Sequence, residues 1–218
     1  MEAALDTHKF MSISIVAGPG VLAPRAETEL LGRTALELLA GLGDAPVVID
    51  MCCGSGNLGL AIADARPDAR LFLSDLTDET TAQARENTRR LRLGDRVTVG
   101  QGDMFAGLAT ALGDTRADLI VCNPPYISTA KLAGDSAHLL KKEPREAFDA
   151  GAYGIAIHQR LIADAPNYLR TGGWLAFEFG AGQDRQVALL LKRNGAFGPI
   201  NFAQNENKVP RVAFAQLL

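Results

Sequence analysis

An α/β fold is what this sequence predicts: a mostly parallel, seven-stranded sheet covered by helices on both faces, with one antiparallel strand near the C-terminus. Three observations carry that expectation. From residue 47 onward, short apolar runs alternate with helical patterns, and such alternation calls for parallel strands joined by crossover helices. A glycine-rich turn, "CGSGNLG", lies just beyond the first of these strands. The last two strand-like segments lie too close together for a crossover helix, so they are expected to form a hairpin.

The elements follow in order. Residues 9–22, spanning "KFMSISIVAGPGVL", read as two short strands around a Gly-Pro-Gly turn, so residues 1–24 form an extension carrying a small β-hairpin. Residues 25–218 form the main domain. In "PRAETELLGRTALELLAGLG", Leu31, Ala35, Leu38, Leu39 and Leu42 share one helical face. Glu27 and Glu29 suit the positive end of that helix, and Gly43 is its stop signal. Strands are then expected at 47–52, 70–75, 97–103, 118–122, 174–180, 196–203 and 211–216. Helices are expected at 57–65, 77–92, 105–112, 153–170 and 183–193. The connection 127–152 is longer than most ordered loops, and such loops are usually functional or mobile. In open α/β sheets, ligands bind beyond the carboxyl ends of the strands, so the informative residues are sought there.

Composition narrows the class of function. The chain has 218 residues, 47% hydrophobic and 22% charged, which is ordinary for a globular protein. A formal net charge of -3 gives no support for broad electrostatic capture of nucleic acid or an anionic membrane. Three cysteines, Cys52, Cys53 and Cys122, are too few for a disulfide framework and point to a reducing compartment. The first residues, "MEAALDTHKFMSISIV", carry acids early and do not resemble a signal peptide. No apolar run approaches a membrane span, so a cytoplasmic location is expected.

Chemistry concentrates at the strand ends. Gly54, Gly56 and Gly59 match the dinucleotide pattern G-x-G-x-x-G, with Asp75 about 20 residues on, so an NAD-dependent dehydrogenase is a real competitor. In that motif the glycines follow the strand directly, letting a helix N-terminus hold a pyrophosphate. Here "DMCC" intervenes and sets Asp50 at the strand tip, where a cationic ligand without phosphate is better suited. S-adenosylmethionine, with its sulfonium and amino group, has that chemistry. On this reading Asp50 faces the methionine end, Gly54 and Gly56 let the backbone approach, and Asp75 binds ribose hydroxyls. In "GDMF", Asp103 can accept from an adenine amino group while Met104 packs on the ring. A bare glycine turn and an ordinary Gly-Asp turn are the bland readings. Three acids at successive strand ends outweigh them.

The fourth strand ends in "NPPY", Asn123 to Tyr126. Two prolines remove two backbone donors and fix two φ angles, more than an exit loop needs. An amide or aromatic amine is a poor nucleophile, because its nitrogen lone pair is delocalised. Two acceptors holding its N–H bonds can aim that lone pair at an electrophile. The Asn123 side-chain oxygen and the Pro124 carbonyl are the two acceptors, and Pro124 and Pro125 keep the carbonyl still. Tyr126 offers a flat wall for a planar group. A proline turn with a core tyrosine is the alternative for these four residues alone.

Together these residues resemble class I S-adenosylmethionine-dependent methyltransferases of Rossmann-like fold. More narrowly, they are similar to the protein-(glutamine-N5) methyltransferases that modify peptide-chain release factors. The similarity runs from about Phe10 to the C-terminus, through "VLAPRAETELL", "DMCCGSGNLGLAIA", "GDMF", "NPPYI", "EPREAFDAGAYG" and "FEFGAGQ". The resemblance implies that Cys52, Cys53, Gly54, Ser55, Gly56, Asp75, Leu76, Asp103, Met104 and Asn123 bind S-adenosylmethionine and release S-adenosylhomocysteine, with Asp50 and Thr28 toward the methionine tail. It also implies that Asn123, Pro124, Pro125 and Tyr126 hold the target nitrogen. Asn-Pro-Pro-Tyr is shared with adenine-N6 methyltransferases, so it specifies a planar nitrogen and not a molecule. Three departures stand out. Cys52 sits where the family usually has glycine, and Ala26 replaces the second proline of "PRPET". Only about ten residues precede the hairpin, so the helical N-terminal domain of the bacterial enzymes is not expected here. Shorter relatives without it work with a partner subunit, so a partner subunit or a homodimer is the expected complement.

The expected acceptor is therefore a release-factor glutamine, with a small amide, guanidine or amine as the alternative. A nucleic-acid adenine is disfavoured by the acidic balance. A non-catalytic cofactor binder fits poorly with an intact Asn-Pro-Pro-Tyr. The three cysteines read as small buried thiols that cluster at neighbouring strand ends, not as metal ligands. His8, His138 and His158 have no clear partners in the sequence. The basic run "RENTRRLRLGDR" (85–96) reads as the solvated face of a helix.

Overall fold

The computed structural model describes residues 6–18, 20–127, 129, 133, 148 and 154–218. His138, and all of "EPREAFDAG" except Phe148, lie outside the described residues.

The seven-stranded sheet is as expected. Its strands are β3 (Val47–Met51), β4 (Arg70–Asp75), β5 (Val97–Gln101), β6 (Ala117–Cys122), β7 (Leu169–Glu178), β8 (Asn201–Gln204) and β9 (Pro210–Gln216). The spatial order is β5-β4-β3-β6-β7-β9-β8, with β9 antiparallel to both of its neighbours. Alternation along each strand sends side chains to opposite faces. Val48, Leu71, Leu73, Leu119 and Val121 join one apolar cluster, whereas Ile49, Phe72, Ile120 and Phe177 join the other. Both faces are buried, which is why the central strands read as unbroken apolar runs. Each such buried side chain contributes about 1.5–3 kcal/mol relative to exposure.

Helices α1 (Glu29–Ala40), α2 (Asn57–Ala65) and α3 (Asp78–Arg90) follow the predicted pattern. On α1, Leu31, Ala35 and Leu39 are fully buried, while Leu38 and Leu42 only partly cover the core. The helix stops at Gly41 rather than Gly43. The short helix expected at 105–112 is a 3-10 turn, Met104–Leu108, running into α4 (Ala109–Leu112). The strand before it ends at Gln101, two residues early. The helix expected at 153–170 is α5 (Ala156–Asp164), closed by a 3-10 turn at Ala165–Asn167. Pro166 in that turn has no N–H to continue an α-helix. Strand β7 then begins at Leu169, five residues earlier than predicted at 174, because Ala117 donates to the Tyr168 carbonyl. The last helix is α6 (Asp184–Asn194). The strand expected at 196–203 shortens to β8, with Phe197 making only an isolated bridge to Leu217.

The N-terminal hairpin forms, but its turn is elsewhere. Strands β1 (Asp6–Phe10) and β2 (Ile13–Ala17) pair antiparallel, with Phe10 opposite Ile13. Met11 and Ser12 therefore make the turn, Met11 at φ +48° with its N–H donating to Glu29. The glycines predicted to turn the hairpin instead follow β2, on a segment that reaches the carboxyl ends of the sheet. Phe10, Ile13 and Ile15 join the core cluster on the α1–α2 side. Asn87 of α3 locks the hairpin in place: its side chain accepts from the Val16 N–H at 2.9 Å and donates to the Val16 carbonyl at 2.8 Å. Of the basic run around it, Arg85, Arg89, Arg90 and Arg92 are exposed, with Arg89 and Arg90 paired to Glu86, whereas Thr88 and Leu93 are buried and Arg96 donates to the Arg66 carbonyl.

Candidate active site

A cavity of about 740 Å³ opens at the carboxyl ends of β3, β4, β5 and β6. That size suits a nucleoside-containing ligand. Its wall includes Cys52, Asp75, Leu76, Met104 and Asn123, and the segment after β2 adds Gly20 and Leu22. A smaller cavity of about 40 Å³ adjoins it, bordered by Arg25, Thr28, Asp50 and Cys53 and sharing Cys52, Gly54 and Asn123 with the larger one.

The glycine turn is built around two carboxylates. Asp75 Oδ2 accepts from the Gly54 N–H at 2.7 Å, and its Oδ1 accepts from the Leu76 N–H at 2.7 Å. Each oxygen keeps a further lone pair for a ligand hydroxyl. Asp50 Oδ2 accepts from the Gly59 N–H in the first turn of α2, at 2.8 Å. A Cβ on Gly59 would lie 2.9 Å from that oxygen and 2.9 Å from Leu73 Cδ1, so only glycine fits. Asp50 is thus wholly buried, bracing the turn from beneath and reaching only the smaller cavity. Burial pushes its carboxyl up to about 8, aided by the Asp75 charge and opposed by the Gly59 N–H.

Cys52 has φ +56°, the left-handed conformation that glycine adopts without penalty. Cysteine here takes a glycine-like backbone and so carries its side chain at a conformational cost. The Cys52 and Cys122 thiols are adjacent, as expected for β3 and β6 neighbours, and burial pushes the Cys122 thiol up. No group of three or more metal-ligating side chains exists among the described residues.

Leu76 is 55% exposed, an unusual state for a large apolar side chain, and it faces the cavity that Met104 also lines. Together they offer apolar surface to a flat ring. Asp103 borders the same cavity, but its carboxylate is tied to Arg160 at 2.8 Å. Its expected hydrogen bond to an adenine amino group must compete with that ion pair. Two predicted binding residues turn away. The Ser55 side chain is fully buried beside Asn57, and Gly56, at φ +81°, caps α2 without reaching either cavity.

At the end of β6, the Asn123 Nδ2 donates to Thr28 Oγ1 at 2.9 Å. That bond fixes the amide so that Oδ1 is its acceptor end. Pro125 lines the cavity beside it. The Tyr126 hydroxyl donates to Glu178 Oε1 at 3.1 Å and accepts from Arg211 Nη2 at 3.2 Å. Burial, then the Glu178 charge, pushes the phenol above its usual range. Gln183 Nε2 donates to the Tyr126 carbonyl at 3.0 Å. The sequence reading missed Glu178, Gln183 and Arg211 as site residues. The quoted segment "FEFGAGQ" holds the first two, and an acid inside an apolar strand was the available signal. His158 is not the partnerless residue it looked: fully buried, its Nε2 lies 2.9 Å from the Glu178 carbonyl, and burial lowers its pKa to about 4.

Known proteins of similar sequence and fold are methyltransferases. The family profile "methyltransferase small domain" matches residues 28–152. The chain is 36% identical over 212 residues to a protein named release factor glutamine methyltransferase from Geobacter sulfurreducens, covering 97% of this chain and 71% of that protein. It is 37% identical over 206 residues to one of the same name from Moorella thermoacetica, covering 94% and 69%. The solved structure of a release factor-specific protein-(glutamine-N5) methyltransferase from Alicyclobacillus acidocaldarius superposes with a TM-score of 0.56 at 24% identity, covering 92% of this chain and 98% of that one; this likeness is one of fold.

Proposed function

This chain belongs to the release factor glutamine methyltransferase family, and we propose that it moves a methyl group from S-adenosylmethionine to the side-chain amide nitrogen of a release-factor glutamine. The observation that carries this reading is the Asn123 amide, held by Thr28 at the edge of a nucleoside-sized cavity with its oxygen as the acceptor end.

The cofactor, when bound, supplies an electrophilic methyl carbon on a sulfonium. Asp75 would hold its ribose hydroxyls, Leu76 and Met104 its adenine ring, and the smaller cavity with Asp50 and Thr28 its amino-acid end. A cationic amino group beside Asp50 would draw that carboxyl into its charged form. Asn123 Oδ1 and the Pro124 carbonyl then accept the two N–H bonds of the glutamine amide. This turns the nitrogen lone pair out of conjugation and toward the methyl carbon. The nitrogen would form its bond to the methyl carbon as the carbon–sulfur bond breaks, leaving the electron pair on sulfur, and would give up one proton. Positioning of this kind supplies most of the available rate, since displacement at carbon needs no further group from the protein. No described helix is long and apolar enough to cross a membrane.

The test is radiolabelled methyl transfer to purified release factor, run beside pooled metabolites and nucleic acid. Label on a glutamine of the release factor is expected. Label on a metabolite or nucleic acid with none on the protein would sink this acceptor.

A further inference from the structure

We propose that Glu178 is a positioning residue that holds both ends of the Asn-Pro-Pro-Tyr corner from one point. The proposal rests on the methyltransferase reading above and extends it to a residue outside the motif.

Glu178 ends β7, next to the corner in the sheet, and is 2% exposed. Its Oε1 accepts from the Tyr126 hydroxyl, fixing the last residue of the corner. Burial raises the pKa of this carboxyl, and a hydrogen bond from the Thr28 hydroxyl is the first influence opposing it. That hydroxyl also accepts from Asn123 Nδ2, fixing the first residue. Two short chains of polar contacts thus run from a single carboxylate to residues 123 and 126. Arg211 closes the arrangement. Its Nη2 lies 3.5 Å from Glu178 Oε1 and bonds the Tyr126 hydroxyl, while its Nε donates to the Phe179 carbonyl. Glu27 is the other charge acting on the carboxyl, and it repels.

A buried ion pair is a poor way to stabilise a core, since apolar side chains of the same volume usually do as well. Its value is directional. A carboxylate accepts from several donors at fixed angles, and Arg211 makes its charge tolerable. Gln183 holds the corner's backbone through the Tyr126 carbonyl, leaving the side-chain ends to Glu178.

The experiment compares Glu178→Gln, Tyr126→Phe and the double variant with the wild type. Four quantities are measured: S-adenosylhomocysteine affinity, kcat for release factor, the urea midpoint, and the NMR order parameter of the Asn123 side-chain amide. We expect Glu178→Gln to lower kcat by about a hundredfold, as for misplaced reacting groups, with product affinity little changed. The Asn123 order parameter should fall, and the double variant should be no slower than the slower single one, because the two act through one contact. An unchanged kcat in Glu178→Gln, or losses that multiply in the double variant, overturns the proposal. If Glu178→Gln does not fold, Tyr126→Phe keeps the ring and severs one arm, and an unchanged kcat there overturns it equally. If the wild type leaves release factor unlabelled, the acceptor assignment fails and the order parameter decides: a fall in Glu178→Gln supports the clamp, and no change overturns it.

Discussion

Asp50 and Asp75 hold the β3–β4 half of the site by accepting backbone N–H groups, whereas the β6–β7 half is held by side chains that bond one another across the sheet. In the first half the partners are close in sequence: Asp50 and Gly59 are 9 residues apart, Asp75 and Gly54 are 21. In the second half Asn123 reaches Thr28 over 95 residues, and Arg211 reaches Tyr126 over 85. A binding surface for a ligand common to many proteins can be made from backbone, which any sequence supplies. An acceptor site must select one nitrogen, and selection needs side chains whose positions depend on the whole fold.

Four variants test that division, from the largest expected effect to the smallest. Asn123→Ala removes an acceptor only the reacting nitrogen needs, so kcat should fall by about a hundredfold or more, while calorimetric affinity for S-adenosylhomocysteine is largely kept. Unchanged turnover would refute the assigned role and merge the two halves. Asp75→Ala should do the reverse, weakening that affinity by about 10- to 100-fold, the range for a hydrogen bond to a charged group.

The third test uses pH. The Asp50 carboxyl is raised in the fold from 3.8 to about 8, so the folded state holds a proton that the unfolded state has lost. Stability from this group is therefore full at low pH and falls as pH rises toward 8. The lowered pKa of His158 acts in the opposite sense, but only below its ordinary value of 6.5. Between pH 6.5 and 8, the unfolding free energy from urea titrations should fall, by about 1 kcal/mol per pH unit, and Asp50→Asn should flatten the curve. A flat wild-type curve would remove the buried, protonated Asp50 from the account. The smallest effect is at Cys52, where φ is +56°. Cys52→Gly should be more stable than Cys52→Ala by about 1 kcal/mol in urea titrations, since only glycine takes that conformation freely.

Much of this was legible beforehand because it depends on short-range pattern. Short apolar runs bounded by turn residues located the seven strands, and period-3.6 apolar spacing located the helices. The glycine turn and the acids at strand tips marked the cofactor side, and Asn-Pro-Pro-Tyr marked the acceptor side. The errors have physical causes. Gly18 and Gly20 looked like a hairpin turn, but Met11 and Ser12 turn because the register that buries Phe10, Ile13 and Ile15 requires it. The Gly59 partner of Asp50 was not foreseen, because a strand-tip position does not reveal how the helix after the glycine turn lies over the carboxylate. Asp103 was assigned to adenine without its partner, because Arg160 lies 57 residues away on α5.

By itself, then, the sequence determined the layered sheet and the kinds of group at each strand end, because burial periodicity and backbone preference act over a few residues. Tertiary structure alone decided that β9 inserts between β7 and β8, which carries Arg211 to the end of the sheet beside Glu178 and Tyr126. It also decided which oxygen of each acid is free and which is spent on backbone. Those outcomes rest on contacts between segments far apart in the chain, and no local pattern encodes the distance between them.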